Sequence, residues 1–232
     1  MRDAGASGDR AGHARLMDQV YRHQRHIYDL TRKYYLLGRD RLVRELNARD
    51  NETVVEIGCG TARNLIRVAR AYPGAKLYGL DASAEMLLTA NESIVRAGLK
   101  DRILLKHALA EEMTPGLFGL SEPFHHAVFS YSLSMIPDWR AALVAAAYCV
   151  RPDGTVQVVD FGDLKGLWRP LSCALRAWLR LFHVAPRDEL LAAMERGGQN
   201  RECSVHILPG RYAFVFRAHP DAIVKLAGAA LR

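Results

Sequence analysis

Val54-Val55-Glu56-Ile57-Gly58-Cys59-Gly60-Thr61-Ala62-Arg63-Asn64 is the stretch whose reading decides the fold. Two β-branched residues and a carboxylate run into a glycine pair, and Leu65-Ile66-Arg67-Val68-Ala69-Arg70 continues with helix-forming sequence. The segment reads as a strand, a tight turn and a helix start. Gly58 and Gly60 allow positive φ and let a ligand approach backbone that carries no Cβ. The helix presents free N–H groups and its positive end to whatever the turn holds.

Outward from this turn, hydrophobic runs alternate with helical patterns. Strands are expected at Thr53–Ile57, Lys76–Leu80, Arg102–Lys106, His126–Tyr131 and Thr155–Asp160. Helices are expected at Ala62–Ala71, Ala84–Ala97 (with Ser83 as N-cap) and Trp139–Val150. Arg151-Pro152-Asp153-Gly154 reads as a turn that stops the last of these helices. Such alternation predicts an α/β protein with a doubly wound, mostly parallel sheet that binds ligands at the carboxyl ends of its strands. Ser204–Leu208 and Tyr212–Arg217, joined by Pro209-Gly210, read as an antiparallel hairpin.

Before the first strand, residues 1–15 lack periodicity and are expected to be mobile. Residues 16–50 read as a helical, tyrosine-rich cap broken at Gly38, and residues 51–232 as the main domain. Within it, residues 164–186 form an insertion. There Leu171, Ala174, Leu175, Trp178 and Phe182 share one helical side, with Arg169, Arg176 and Arg180 on the other. This basic amphipathic helix fits a packing lid and a membrane-surface contact equally well.

The 232 residues are 50% hydrophobic, enough for one sizeable core, and carry a formal net charge of +7. That charge favours anionic partners without choosing among them. Cys59, Cys149, Cys173 and Cys203 lack metal-ligand spacing, which argues against a zinc site and for reduced thiols in a cytoplasmic setting. The first twenty or so residues have no continuous apolar run of signal-peptide type. The longest apolar run, Ala141–Val150, is too short to span a bilayer. No RNA-binding motif is present, and nucleic acid is not an expected partner.

Beyond the glycine pair, Leu77-Tyr78-Gly79-Leu80-Asp81 places a carboxylate where Rossmann-type sheets grip a ribose. The dinucleotide fingerprint wants a third glycine where this chain has Arg63, and Tyr148 is followed by Pro152 rather than by the lysine of a reductase pair. The Glu-x-Gly-x-Gly form instead resembles motif I of class I S-adenosylmethionine (AdoMet) methyltransferases. This resemblance implies a seven-stranded sheet and AdoMet as cofactor. Gly58, Cys59, Gly60 and Asn64 then face the methionine end, Glu56 its amino group, and Asp81 the ribose hydroxyls. Ala82 and Met86 flank the adenine on one side, Ala108 and Leu109 on the other, and Ser130 and Tyr131 lie beside the transferred methyl.

The segment from His26 to Tyr35 resembles the Tyr-Asp-Leu segment of cyclopropane fatty acid and mycolic acid methyltransferases, which implies that Tyr28 reaches over the cofactor. A closer likeness runs through Tyr21–Asp29, Arg32-Lys33-Tyr34-Tyr35-Leu36-Leu37-Gly38-Arg39-Asp40, Ser130–Pro137 and Phe182–Arg187. These blocks resemble the N-methyltransferases of betaine-lipid synthesis, which convert diacylglyceryl-homoserine to its trimethyl form. What this implies is a lipid substrate with a homoserine headgroup, work at a membrane surface, and an upstream aminocarboxypropyl-transferring enzyme as a possible partner. Tyr131, Tyr35 and His26 are then the candidate catalytic residues: tyrosine faces for a methylated cation, and His26 or water to take the amine's proton. Arg32 joins the cofactor set, and Arg32, Lys33, Arg39 or Arg187 can face the substrate carboxylate. The competing readings are a methyltransferase for a quinone or another amphipathic molecule, and a non-catalytic membrane-surface protein of the same fold.

Overall fold

The computed structural model describes residues 36–180, 187–198 and 203–229. The tail to residue 15, the tyrosine-rich segment that follows it and residues 181–186 lie outside this range. The first described helix, α1 (Arg39–Leu46), starts behind Gly38 at φ 84°. Then β1 (Thr53–Ile57), α2 (Arg63–Ala71), β2 (Lys76–Asp81), α3 (Ala84–Arg96), β3 (Ile103–His107) and β4 (Phe124–Ser130) follow in turn. The chain continues through α4 (Trp139–Tyr148), β5 (Val150–Phe161), α5 (Arg169–Arg180), α6 (Asp188–Gly197), β6 (Cys203–Ile207), β7 (Ala213–Ala218) and α7 (Pro220–Ala229).

Seven strands form one sheet in the order β3-β2-β1-β4-β5-β7-β6. β1 to β5 run parallel, and β7 pairs antiparallel with both β5 and β6. This is the Rossmann-like α/β arrangement with a terminal antiparallel pair. Strand side chains alternate between faces, so the sheet is buried from both sides. Val55, Ile57, Phe129 and Val158 enter one apolar layer with Trp139 and Leu143 of α4, Leu190 of α6 and Ile223 of α7. Val54, Leu77, Val128 and Val159 enter the other with Leu42 and Leu46 of α1, Leu65 of α2 and Ile94 of α3.

Three readings change. Arg151-Pro152-Asp153-Gly154 is not a turn: β5 runs through it, with a register shift opposite Phe124 and His126. A Cβ on Gly154 would collide with the carbonyl of His125, so glycine lets the two strands close here. Helices α6 and α7 were not anticipated; they cover the part of the sheet beyond β4. The expected apolar side of α5 is split: Leu175 and Trp178 lie against the α1 layer beside the fully buried Leu179, whereas Leu171 and Ala174 stay exposed.

The amino ends of the parallel strands are tied by histidines. His125 Nδ1 accepts from the Thr53 N–H at 3.1 Å. The buried His126 ring joins Thr155 Oγ1 (2.8 Å) to Glu52 Oε2 (3.1 Å). Burial holds His126 below the ordinary histidine range, against the pull of Glu52. The unfolded chain therefore takes up a proton before the folded one, and this contribution to stability fades as pH falls through the sixes. Between pH 7.5 and 5.5, thermal midpoints of His126→Gln should fall less than those of the wild type; equal losses would contradict the role given to His126.

Candidate active site

The turn after β1 is built from backbone. Gly58 and Gly60 adopt φ of 70° and 54°, and Ala62 follows at 59° before α2 begins. The N–H groups of Gly58 and Cys59 both donate to the carbonyl of Leu80, at 2.9 and 3.0 Å, fixing the turn against the end of β2. Ser132 Oγ donates to the Ile57 carbonyl at 2.8 Å. A Cβ on Gly58 would lie 2.5 Å from that of Ser132, so no larger residue fits. Asp81 closes the arrangement: its Oδ2 accepts from the Gly60 N–H at 2.7 Å and its Oδ1 from the Ser83 N–H at 2.9 Å.

Against this turn lies a cleft lined by Arg39, Glu56, Gly58, Cys59, Gly60, Thr61, Arg63, Asn64 and Ser130. Glu56 is only 2% exposed. Burial pushes its carboxyl up to about 7, and Arg39, the Asn64 amide and the Leu65 N–H keep it from rising further. Asn64 Nδ2 donates to Oε1 at 3.1 Å, while Oε2 is buried without a hydrogen-bond partner among the described residues. An acceptor of this kind, lacking a donor in a polar cleft, suits an ammonium group, which would restore the charged form. Burial also raises the Cys59 thiol well above its usual range, with Asp81 and Glu56 adding to the rise. Cys59 is thus no thiolate nucleophile.

Six expected residues meet in this cleft: Glu56, Gly58, Cys59, Gly60, Asn64 and Ser130. Asp81 adjoins it through Gly60. Ala82 and Ala108 are drawn to the same strand ends, the first through His107 Nε2 on its carbonyl (2.9 Å), the second by its N–H to the Asp81 carbonyl (3.2 Å). Leu109 is half-buried, and Met86 is buried in the first turn of α3, in neither apolar layer. His26, Tyr28, Arg32 and Tyr35 lie outside the described residues.

Tyr131 is placed otherwise than expected. It is 2% exposed, its hydroxyl donates to the Leu37 carbonyl at 2.5 Å, and its ring meets Phe161 edge-on. The cation over that ring is Arg39, at 5.5 Å. Sequence reasoning left Arg39, Thr61 and Arg63 out of the cofactor set. Arg63 was noticed only as a missing glycine, although the first residue of a helix after a glycine turn faces whatever that turn holds. Among the described residues no cluster of three or more His, Cys, Asp or Glu side chains could hold a metal.

If this cleft holds the methionine end of AdoMet, Asp81→Ala removes the acceptor for the ribose and leaves the Gly60 N–H unpaired. Hydrogen bonds to charged groups contribute about 1.5–3 kcal/mol, so AdoMet affinity should drop roughly 10- to 100-fold. Gly58→Ala should lower both affinity and thermal midpoint. Equilibrium dialysis showing unchanged affinity in both variants would place the cofactor elsewhere.

Residues 54–154 match the family described as a methyltransferase domain. The chain is 27% identical over 198 residues to the ubiquinone/menaquinone biosynthesis C-methyltransferase of Syntrophotalea carbinolica, covering 81% of this chain and 77% of that protein. It is 22% identical over 147 residues to a demethylmenaquinone methyltransferase of a Geobacillus strain, covering 62% of this chain and 61% of the relative. Among solved structures, phosphoethanolamine N-methyltransferase 2 of Haemonchus contortus superimposes with a TM-score of 0.62 at 13% identity, covering 78% of this chain and 52% of that one. With the sheet order, the glycine turn and the matched stretch taken together, this chain has the Rossmann-like α/β fold of methyltransferases, and its residues 54–154 are similar to a methyltransferase domain.

Proposed function

We propose that the chain uses AdoMet to methylate the amine of a lipid with a homoserine headgroup, forming the trimethylated betaine lipid. The observation that carries this reading is where its most specific sequence blocks meet. Arg39, from the Tyr34–Asp40 block, donates through Nε to Ser130 Oγ at 3.0 Å, at the head of the Ser130–Pro137 block. Tyr131 of the second block donates to Leu37 of the first. The described residues of two of these blocks, Leu37 and Arg39 with Ser130 and Tyr131, thus meet beside the cleft, which supports an acceptor site there.

AdoMet supplies an electrophilic methyl group on its sulfonium. Glu56, with Asn64, holds the ammonium of its methionine part; Arg39, in the same cleft, is the cation for the methionine carboxylate; Asp81 receives the ribose hydroxyls. Met86, Ala82, Ala108 and Leu109 keep water from the adenine. For direct displacement the protein must chiefly hold a neutral amine in line with the methyl carbon. Tyr35 and His26 are the proposed groups for the amine and its proton. Tyr131 acts as a positioning residue, joining the two blocks. The protein is proposed to work peripherally at the cytoplasmic side of a membrane; no helix among the described residues is long and apolar enough to cross one.

A second reading is favoured by the two relatives given above, a ubiquinone/menaquinone biosynthesis C-methyltransferase and a demethylmenaquinone methyltransferase. They support a quinone acceptor better than a homoserine lipid. Labelled AdoMet offered with diacylglyceryl-homoserine and, separately, with a demethylmenaquinol in mixed micelles decides between the two. A ladder of one, two and three added methyl groups on the homoserine lipid is the expected result. Methylation of the quinol alone would replace this reading by the second. Arg39→Gln should weaken AdoMet binding about tenfold or more while sparing methylthioadenosine, which lacks the amino-acid part; equal weakening of both ligands would remove Arg39 from the carboxylate.

A further inference from the structure

We infer that the outer face of α5, with the Trp168 side chain at its entrance, is a docking surface for anionic lipid bilayer. This goes beyond the proposed reaction by naming the surface on which the cleft works, and it rests on the reading that the acceptor is a lipid. Of the apolar side expected from the sequence (Leu171, Ala174, Leu175, Trp178 and Phe182), Leu175 and Trp178 face the core, and Phe182 lies outside the described residues. What remains outside is apolar as well. Trp168 is 76% exposed and Leu171 53%, and Ala174 and Ala177 continue along the exposed side of the helix.

Charge on this helix is arranged to match. Between Arg169 and Arg180 its only charged residue is Arg176. That guanidinium is held by acidic partners at the side of the helix, donating to the Asp163 carbonyl and to Asp188 Oδ1, and its side chain stays 30% exposed. An uncharged outer strip is thus left with one exposed arginine at each end, Arg169 and Arg180. A tryptophan and a leucine beside such cations suit the boundary between acyl chains and anionic headgroups, and the net charge of +7 acts in the same sense. Exposed large apolar side chains on a rigid base call for a partner.

The base is rigid. Arg211 binds Asp163 through Nε at 2.8 Å and Glu195 through both terminal nitrogens, at 2.8 and 3.1 Å. Gly166 lies against the backbone of Gly210, leaving no room for a Cβ on Gly166, while Gly210 sits under the Leu167 side chain at positive φ. These contacts hold the backbone from which Trp168 projects, and the Ser172 N–H donates to its carbonyl at 3.0 Å. The segment leaves the sheet at the carboxyl end of β5, the end at which the cleft opens, so docking here brings bilayer to the acceptor side.

The test is co-sedimentation of the full chain with phosphatidylglycerol and with phosphatidylcholine vesicles, without substrate. The wild type should bind the anionic vesicles preferentially, and added salt should weaken that binding. Trp168→Ser with Leu171→Ser should reduce binding at least about tenfold, with AdoMet affinity unchanged. Arg169→Gln with Arg180→Gln should abolish the preference for anionic lipid. Unchanged binding by the Trp168/Leu171 variant, equal binding of both lipids by the wild type, or a wild-type dimer that this variant breaks without any vesicle binding would each overturn the inference. Because no methyl transfer is read, failure here leaves the acceptor assay independent.

Discussion

Three hydrogen bonds between the end of β1 and the end of β2 hold the site together. Gly58 and Cys59 donate to one carbonyl, that of Leu80, and Gly60 donates to the side chain of Asp81. They require positive φ at Gly58 and Gly60 and leave no space for a Cβ at Gly58 against Ser132. Once they form, the Glu56 carboxylate, the start of α2 and Asp81 have fixed mutual positions. The layers on either side of the sheet hold these strand ends in register and are otherwise ordinary apolar packing.

Much of this was legible because backbone constraints leave marks in residue types. A glycine pair after β-branched residues and a carboxylate one strand later are local signals, and the structure brings them together. The hairpin at the end of the sheet was legible from Pro209-Gly210. Helices α6 and α7 were not, because Leu190, Leu191 and Ile223 meet the sheet through long-range packing that no local spacing announces. At Arg151-Pro152-Asp153-Gly154 turn chemistry marked an irregularity inside a strand: β5 pairs with β4 at Val150 and again from Thr155, and the four residues between them are unpaired with β4.

The site shows the same division. Residues on the glycine turn were read by position, whereas Arg39 enters the cleft only because α1 packs across the sheet beside Ser130. Tyr131 looked like an aromatic face for a cation; it is a buried strut whose hydroxyl reaches the backbone ahead of α1. For α5, helical spacing identified an amphipathic element but could not say which apolar side the sheet would take. The charge pattern of the face that remained outside depends on Arg176 being held at the side of the helix by Asp163 and Asp188.

The central claim is that a buried carboxylate without a donor on Oε2 among the described residues is the receptor for the cofactor's ammonium. Its folded value of about 7 lies above the ordinary carboxylate range, so at pH 6 Glu56 is mostly protonated. An arriving ammonium favours the charged form and expels that proton. Calorimetry of AdoMet binding at pH 6, in two buffers of different ionisation enthalpy, reads the proton directly. The account predicts release of the greater part of one proton by the wild type and loss of that release in Glu56→Gln. A wild type that binds AdoMet with no buffer dependence, or a variant that releases the same proton, would contradict it.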